Sequence, residues 1–370
     1  MIRSIILLSL LLLSGCQMNQ NTKQVSSIPF YVGTYTEAQS QGIYKYLLDQ
    51  NGALKLIGLA AHSENPSFLA MSSDKKFLVA VNETHQLDGQ GSVESFQVTD
   101  DSLIFLSRSP SGGAHPCFVA VNTEGFVLTA NYTGGNVGLL KLKGNGMLSG
   151  LLDVQQHSGS GTTNRQQAPH AHSAWFVPGE NEIIAVDLGT NELWFSKLDT
   201  VQKKLIPEQT KKLRMQPGAG PRHLTFHPNG KWIYVVNEIN STVSILQKTA
   251  EKSYEIQSSI STLPPEFSDS NTCAHIAVSA DGKFVYASNR GHNSIAIFAV
   301  DLQDGSLKQI GHESTRGDGP RNFALSPDDQ YILVANQHTA NIVSFKRNPE
   351  TGLLKFVSQT KAPTPVCILF

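Results

Sequence analysis

The 370-residue sequence predicts an all-β fold, a seven-bladed β-propeller whose last blade is shared between the N- and C-terminal strands. Three observations predict it: a strand–turn–strand pattern that recurs seven times, no segment with sustained helical periodicity, and two chain ends that hold complementary parts of one repeat. Residues 29–370 are predicted to form this propeller as one unit, because repetitive all-β folds run long as single domains.

The recurring pattern is a β-hairpin. In its clearest copy, "GAGPRHLTFHPNGKWIYVVNE" (residues 218–238), two apolar strands flank a Pro-Asn-Gly turn. Related hairpins begin about 50 residues apart, a period typical of propeller blades. The seven copies begin at Pro66, Pro116, Ala171, Pro221, Cys273, Pro320 and Pro365.

Two weaker strand signals follow each hairpin, such as "STVSIL" (241–246) and "YEIQSSIS" (254–261). Four strands per repeat, joined by turns, match a propeller blade better than a solenoid of strands and helices. The last copy stops after one strand, "PVCILF", whereas residues 29–58 hold the three strands that it lacks. Joining the two ends in one blade closes the ring and removes exposed sheet edges.

The first residues predict export. Residues 1–15 combine Arg3 with an apolar run that is too short to cross a bilayer, as in a signal peptide. The Leu-Ser-Gly-Cys ending resembles a bacterial lipobox, which predicts a lipidated Cys16 and a polar tether over residues 16–28. The predicted location is an exported, membrane-anchored lipoprotein, with Gln17 compatible with a periplasm-facing outer membrane; cleavage and release is the alternative.

Composition limits the classes of molecule that the protein is expected to bind. A formal net charge of −1 without a basic stripe argues against nucleic acid. Cys117, Cys273 and Cys367 lack the short spacings of zinc or redox motifs, and there is no Asp-rich calcium loop. We therefore predict no metal and no cofactor, with a small molecule and the membrane as partners. An odd number of thiols leaves at least one free, and the pattern specifies no oligomeric state.

Both ends of each hairpin are expected on one rim of the propeller. If the first strand is innermost, its starting residue lies at the channel mouth beside the end of the second strand, with Arg222 opposite Asn237. The first-strand positions are Ser67, Cys117, His172, Arg222, Ala274, Arg321 and Val366. The positions after the second strand are Glu83, Tyr132, Leu188, Glu238, Arg290, Gln337 and Thr34. This set of guanidinium, imidazole and carboxylate groups suits an anionic small molecule.

A structural interpretation of the same residues is the alternative. Polar channel residues often only hydrate a propeller, and Arg222 could simply pair with Glu238 within its own blade. The Asn residues that end the second strands are expected to cap loops. His223, His227 and His275 follow the hairpin pattern and are expected to be structural.

At these residues the sequence resembles the lactonase family of seven-bladed β-propellers, which includes a bacterial 6-phosphogluconolactonase and the fungal carboxy-muconate cyclase. The similarity is carried by "GAGPRHLTFHPNGKWIYVVNEINSTV", "AHSAWF" and "DGKFVYASNR", and it extends over essentially the whole mature chain. The resemblance implies a rim site of one His, two Arg and one Glu. These would be His172, Arg222, Glu238 and Arg290.

Further residues are candidates around that set. His170 is a second candidate for the histidine, and Arg321 opens another Gly-Pro-Arg segment and is expected to contact substrate. Glu83 and Gln337 are expected to bind substrate from their rim positions.

Lactone opening needs a base for the attacking water and a fixed positive charge for the developing oxyanion. Arg222 and Arg290 are predicted to supply the charge, because Arg stays protonated at any working pH and also suits a carboxylate or phosphate. The base is predicted to be Glu238 or His172, the former expected to have a pKa depressed by its guanidinium neighbour. A serine nucleophile is not predicted, since "SGSGT" (158–162) lacks the required strand-to-helix turn.

The predicted function is therefore hydrolysis of a sugar or anionic lactone, similar to that of a 6-phosphogluconolactonase. A lactonising cyclase and a non-enzymatic binding propeller are the alternatives. Export conflicts with a cytoplasmic phosphorylated substrate, so an unphosphorylated sugar lactone outside the inner membrane is a further possibility.

Overall fold

The computed structural model describes residues 27–36, 39–251 and 253–370, with the side chains of residues 209–211 left aside. The predicted signal peptide (1–15), Cys16 and the tether as far as residue 26 lie outside the described residues. All elements within the described ranges are β-strands, so the all-β prediction is confirmed. Over the same ranges, no helix has the length and apolarity needed to cross a membrane.

The strands follow the predicted repeat closely. The first eleven are β1 (Ile28–Thr34), β2 (Gly42–Leu48), β3 (Leu54–His62), β4 (Leu69–Met71), β5 (Phe77–Leu87), β6 (Gln90–Val98), β7 (Leu103–Pro110), β8 (Pro116–Val121), β9 (Phe126–Asn131), β10 (Asn136–Lys141) and β11 (Asp153–Gln156). The next eight are β12 (Ala171–Phe176), β13 (Glu182–Asp187), β14 (Glu192–Asp199), β15 (Lys204–Arg214), β16 (Pro221–Phe226), β17 (Trp232–Asn237), β18 (Thr242–Lys248) and β19 (Tyr254–Ser261). The last nine are β20 (Thr272–Val278), β21 (Phe284–Arg290), β22 (Ser294–Val300), β23 (Leu307–Ser314), β24 (Pro320–Leu325), β25 (Tyr331–Asn336), β26 (Asn341–Arg347), β27 (Leu354–Lys361) and β28 (Pro365–Leu369).

These strands form seven four-stranded antiparallel sheets, the blades. Blades 1 to 6 are β4–β7, β8–β11, β12–β15, β16–β19, β20–β23 and β24–β27 in chain order. Blade 7 pairs the C-terminal β28 with β1, β2 and β3, as predicted for a blade shared between the chain ends. The first strand of each blade contacts the first strand of the next, and β28 contacts β4, which closes the ring around a central channel. The seven-bladed prediction is thereby confirmed.

The hydrophobic core lies between the blades. Seven buried clusters join neighbouring blades in the described chain, one for each contact of the closed ring. In blades 2, 3, 4 and 6 every residue of the second strand is buried, because sheets cover both of its faces. Tyr234 is fully buried and its phenol donates to the carbonyl of Gly305 in the next blade at 3.0 Å. Burying such a side chain contributes about 1.5–3 kcal/mol.

The hairpin turns have a repeated chemistry that fixes the start of each second strand. Ser279 donates from Oγ to Asp281 at 2.6 Å, and the Phe284 amide donates back to Ser279 Oγ at 3.0 Å. Between them Gly282 has a φ of 72°, a left-handed conformation that glycine adopts without a steric cost. Such turns set the hairpin register and therefore the height at which each strand reaches the channel rim.

Candidate active site

A cavity of about 330 Å³ opens at the channel mouth, where the starts of first strands meet the ends of second strands. Its lining residues come from several blades: Glu83, Cys117, Tyr132, Arg165, His172, Glu238, Thr272, Arg290 and Arg321. Two grooves of similar size, about 390 and 360 Å³, involve blades 2 and 3 and lack such a concentration of charged groups. The rim positions predicted to converge therefore largely do so.

β-Bulges aim the first-strand side chains at the cavity. In blade 4, Pro221 pairs with Asn237 and His223 with Val236, so Arg222 is left out of the ladder. The expected pairing of Arg222 with Asn237 is thus displaced by one residue. The first strands of blades 2, 3 and 6 have the same register shift, which leaves Cys117, His172 and Arg321 unpaired. A bulged residue turns its side chain away from the regular alternation, here toward the channel mouth.

Glu238 is the centre of the charged cluster. Its Oε2 accepts from Arg222 Nε at 2.9 Å and lies 3.0 Å from Arg290 Nη2. Its Oε1 accepts from Arg165 Nη2 at 2.8 Å. His172 Nε2 lies 4.0 Å from Glu238 Oε2. Three guanidinium groups and one imidazole from three blades and one connecting loop therefore surround a single carboxylate.

The cluster shifts the pKa of each member. Burial raises the pKa of Glu238, but the Arg290 and Arg222 guanidinium groups outweigh it and hold that pKa well below its ordinary value. Burial, followed by repulsion from Arg290 and Arg321, lowers the pKa of Arg222 to about 9, so this side chain stays protonated at neutral pH. Burial is also the main cause of the lowered pKa of Arg290. The carboxylate and the guanidinium groups are thus all ionised near neutrality.

His172 is neutral in this environment. Its burial and the nearby Arg222 charge hold its pKa well below the ordinary histidine value, although Glu238 acts in the opposite direction. Its Nδ1 lies 3.6 Å from Cys117 Sγ. Burial raises the pKa of the Cys117 thiol, which disfavours a thiolate nucleophile. A neutral imidazole that faces the cavity can accept a proton from water at neutral pH.

A second polar cluster occupies another part of the lining. Tyr35 donates from its phenol to Glu83 Oε2 at 2.8 Å, and Arg321 Nη2 donates to the Tyr35 oxygen at 2.8 Å. Burial raises the pKa of Tyr35 far above its ordinary value, so the phenol remains a donor. These three residues belong to blades 7, 1 and 6, and they bring one carboxylate and one guanidinium group to the cavity.

Three predicted site residues, His170, Gln337 and Arg222, lie outside the cavity lining. The His170 ring stacks on Tyr132 with 4.4 Å between ring centroids, and its Nδ1 lies 3.0 Å from the Tyr132 carbonyl oxygen. Gln337 is half-buried on the rim, where its backbone N–H donates to the Gly319 carbonyl at 3.0 Å. Arg222 lies behind Glu238 rather than in the lining itself, with its Nη1 bonded to the Ala274 carbonyl.

Sequence reasoning missed Arg165, Tyr35 and Thr272. Arg165 follows β11 in a connection that makes the interval between Cys117 and His172 the longest in the repeat, and this interval was the available signal. Tyr35 directly follows the rim position Thr34. Neither Arg165 nor Tyr35 belongs to a motif that distinguishes it from an ordinary loop residue.

The histidines that were predicted to be structural, His223, His227 and His275, lie outside the cavity lining, and of the three described cysteines only Cys117 belongs to it. His223 and His275 are buried or half-buried, with their Nδ1 atoms 2.9 Å apart, and the His223 ring lies edge-on to Phe118. Cys117, Cys273 and Cys367 are all free and buried. Across the described ranges, no three His, Cys, Asp or Glu side chains are grouped so that they could hold a metal ion.

The chain was compared with known proteins and structures. Residues 29–370 match the family model described as "Lactonase, 7-bladed beta-propeller". The chain is 39% identical over 347 residues to the 6-phosphogluconolactonase of Bacillus subtilis (strain 168), covering 92% of this chain and 97% of that protein. It is 32% identical to the solved structure of a putative 6-phosphogluconolactonase from Bacteroides fragilis, with a TM-score of 0.86 and 94% and 98% of the two chains covered. The periplasmic gluconolactonase of Pseudomonas aeruginosa is 28% identical, with a TM-score of 0.87 and 93% and 98% of the two chains covered.

The resemblance carried by the rim motifs indicated one family, and the match over residues 29–370 confirms it. The chain belongs to the lactonase family of seven-bladed β-propeller enzymes.

Proposed function

We propose that this protein hydrolyses a sugar lactone that carries an anionic group, by attack of an activated water in the cavity at the channel mouth. The observation that carries the proposal is the grouping of four guanidinium groups and two carboxylates around one neutral imidazole. The formal excess of positive charge favours an anionic substrate and the oxyanion of its transition state. The names of similar proteins, a 6-phosphogluconolactonase and a periplasmic gluconolactonase, support a sugar lactone.

His172 is the general base of this proposal. His172 lines the cavity and its lowered pKa leaves the imidazole unprotonated at neutral pH, whereas both carboxylate oxygens of Glu238 are engaged by guanidinium groups. Glu238 instead stabilises the imidazolium as it forms, since its Oε2 is 4.0 Å from His172 Nε2. The Glu238 carboxylate also holds Arg222 and Arg290 in place.

The reaction then proceeds without a covalent enzyme intermediate. Water loses a proton to His172 while its oxygen attacks the lactone carbonyl carbon, and the carbonyl oxygen gains negative charge. Arg290 stabilises this oxyanion, because its side chain lines the cavity and is 18% exposed, whereas that of Arg222 is 3% exposed. The tetrahedral intermediate collapses with cleavage of the ring C–O bond, and the His172 imidazolium protonates the departing ring oxygen. The product is a hydroxy acid, which ionises to a carboxylate and releases a proton.

Proton release tests this proposal. Purified protein is incubated in a pH-stat with δ-gluconolactone, with its 6-phosphate and with a carboxymuconate, and spontaneous hydrolysis is subtracted with heat-inactivated protein. We expect release of acid from at least one sugar lactone. Loss of carboxymuconate ultraviolet absorbance without lactone hydrolysis would favour the cyclase instead, and no turnover of any compound would leave only a binding propeller.

We also propose that the protein is exported and anchored through Cys16 after removal of residues 1–15, with residues 16–28 as tether, on the periplasmic side of an outer membrane. The apolar N-terminal run and the Leu-Ser-Gly-Cys sequence support this location. Labelling cells with radioactive palmitate is expected to mark the wild type but not Cys16→Ala. Equal labelling of both would contradict the anchor.

A further inference from the structure

The connection between blades 2 and 3, called here the 157–170 loop, is longer than the other connections between blades. It joins β11, which ends at Gln156, to β12, which begins at Ala171. The corresponding connections between blades 1 and 2 and between blades 3 and 4 span only residues 111–115 and 215–220. The loop extends to the cavity, where its Arg165 belongs to the lining. A long ordered loop at a binding site is more often functional than a simple connector.

Asp187 fixes both ends of this loop. Its Oδ2 lies 2.7 Å from Nδ1 of His157, the first loop residue, and its Oδ1 accepts from the amide of His170, the last, at 2.9 Å. The side chains of Asp187 and His157 are both 0% exposed. The His157 ring also stacks on Trp194, with 4.1 Å between centroids. Burying a charged or polar pair of this kind costs desolvation free energy, which is offset only when the geometry of the pair is good. The close contact is therefore a specific feature of this blade.

Five of the other six blades have asparagine where blade 3 has Asp187, and blade 7 has no asparagine in the corresponding strand, β1. The equivalent residues that end the second strands of blades 1, 2, 4, 5 and 6 are Asn82, Asn131, Asn237, Asn289 and Asn336. Asparagine offers one acceptor oxygen, whereas the carboxylate of Asp187 accepts simultaneously at both oxygens. Among blades 1 to 6, the departure from Asn therefore coincides with the described loop that carries Arg165 into the cavity.

Gln166 fixes the loop beside Arg165. Gln166 is 0% exposed, and its Nε2 donates to the Leu188 carbonyl at 2.8 Å and to Asn191 Oδ1 at 3.0 Å. Its Oε1 accepts from the amide of Thr162 at 3.2 Å. The backbone at Arg165 is thus held in place, while its side chain is 49% exposed.

Arg165 contacts Glu238 in a different way from the other guanidinium groups. It donates to Oε1, whereas Arg222 and Arg290 engage Oε2. Its side chain is 49% exposed, compared with 3% for Arg222. It also donates to the Tyr132 phenol oxygen at 3.2 Å. Arg165 therefore covers Glu238 from the solvent side and is the guanidinium group most easily reached by an incoming anion.

We propose that Arg165 is a specificity-determining residue: it gives up its hydrogen bond to Glu238 Oε1 and binds the anionic group of the lactone instead. The Asp187–His157 pair positions the loop that carries Arg165. This inference rests on the proposed lactone hydrolysis. Exchange of one anionic partner for another keeps the guanidinium group paired throughout, so binding does not leave Arg165 uncompensated. Departure of Arg165 also frees Glu238 Oε1 as an acceptor in the cavity.

Kinetics on a charged and an uncharged lactone test Arg165. KM and kcat are measured for δ-gluconolactone and its 6-phosphate with the wild type, Arg165→Met and Arg165→Lys. Loss of a hydrogen bond between charged groups predicts that Arg165→Met raises the ratio of the phosphorylated to the neutral KM by roughly 10- to 100-fold. Arg165→Lys should recover part of the ratio, because it retains the charge but not the fork geometry.

Arg108→Met is the matched control, since Arg108 is 53% exposed, pairs with the buried Glu94 and lies outside the cavity. An unchanged KM ratio in Arg165→Met, or the same change in Arg108→Met, would overturn the inference. Calorimetric binding of 6-phosphogluconate and gluconate provides a readout without turnover. If the wild type hydrolyses no lactone, the proposed function fails; if it does and Arg165→Met retains its preference for 6-phosphogluconate, only the role of Arg165 fails.

Asp187→Asn tests the positioning device, because it restores the residue that other blades tolerate at this position. We expect the same selectivity loss as in Arg165→Met but smaller, about 5-fold, and no further selectivity loss when the two substitutions are combined. An equal fall in kcat for both lactones, with the KM ratio unchanged, would show that the Asp187–His157 pair only supports the fold.

Discussion

Glu83 and Glu238 occupy the same position of the repeat but have different surroundings. Each is the last residue of a Val-Asn-Glu segment and follows the asparagine that ends the second strand motif of its hairpin. Glu238 is surrounded by Arg222, Arg290 and Arg165, whereas Glu83 accepts from the phenol of Tyr35. The repeat therefore determines where the backbone of a rim residue lies, but residues from neighbouring blades determine what its side chain can do.

In the proposed mechanism, this difference assigns two tasks to the two sides of one cavity. The Glu238 side concentrates ionised groups around a neutral imidazole, which is the arrangement that proton transfer and oxyanion stabilisation require. The Glu83 side offers a phenol and Arg321 in a hydrogen-bonded chain, which suits the recognition of substrate oxygens. Breaking either side should consequently affect different kinetic constants.

The largest effect is expected for Glu238→Gln. Loss of the carboxylate leaves three guanidinium groups without their shared counter-charge and misplaces Arg290, so we expect kcat to fall by roughly 10³-fold. Removing one partner of a buried ion pair also costs about 3–5 kcal/mol of stability, so thermal unfolding must be followed in parallel.

Glu83→Gln is the matched control, because it changes the same position of a different blade. We expect kcat to stay within about 10-fold of the wild type, with the larger change in KM, because Tyr35 can still donate to the glutamine oxygen. Equal kcat losses in the two variants would contradict the division of tasks.

The next largest effect is expected for His172→Gln. Loss of a positioned base should lower kcat by roughly 10²-fold, and the residual rate should rise with pH as hydroxide replaces the activated water. Initial rates between pH 6 and 9 measure both features. His170→Gln is the control, since His170 is not a lining residue of the cavity and its ring stacks on that of Tyr132. A fall in kcat equal to that of His172→Gln would reassign the base.

The free energy of unfolding should depend on pH through His172, His223 and His275, in blades 3, 4 and 5. Burial, followed by the Arg222 charge, lowers the pKa of His172 and His223 well below 6.5 and that of His275 to about 3. The unfolded chain therefore binds more protons than the folded protein below about pH 6.5, and stability falls as pH decreases through that range. Each histidine contributes about 1.4 kcal/mol per pH unit while it is protonated only in the unfolded state.

Urea unfolding at pH 7.5, 6.5 and 5.5 measures this slope. His275→Gln should make the slope shallower by the contribution of one histidine, whereas an unchanged slope would show that His275 is not neutral in the folded protein. The depressed pKa of Glu238 acts in a separate window, because its contribution is present above about pH 4.5 and is lost only at lower pH.

The smallest effect is expected for Tyr35→Phe. This substitution removes the hydrogen bonds to Glu83 and from Arg321 but retains the ring, so we expect a KM increase of about 2- to 5-fold and a stability loss of about 1 kcal/mol. Steady-state kinetics and thermal unfolding check the two values. A fall in kcat as large as that of His172→Gln would place chemistry on the Glu83 side.

The repeat made most of the fold predictable. Turn residues and alternating strands recur at fixed positions, so the hairpins, the shared blade and the rim positions of His172, Glu238 and Arg290 could all be derived from local pattern. The register at Arg222 could not, because a bulge inserts one residue without changing the apolar alternation around it.

Loop residues were the main omission. Arg165 reaches Glu238 only because Asp187, His157 and Gln166 fold the 157–170 loop back to the rim, and these are contacts between residues distant in sequence. Gln337 shows the opposite case, since a residue at the correct repeat position lies outside the cavity lining. Repeat position specifies the backbone, whereas side-chain contacts between blades decide which groups meet.

The pH dependence of kcat/KM for lactone hydrolysis tests the central claim most directly, because it reports the protonation of the free enzyme's essential base. If burial and the surrounding guanidinium groups keep His172 neutral, the acid limb of the wild-type profile should lie well below pH 6.5. An acid limb at or above pH 6.5 would contradict the account, since it would require an essential base whose pKa is not lowered by this cluster.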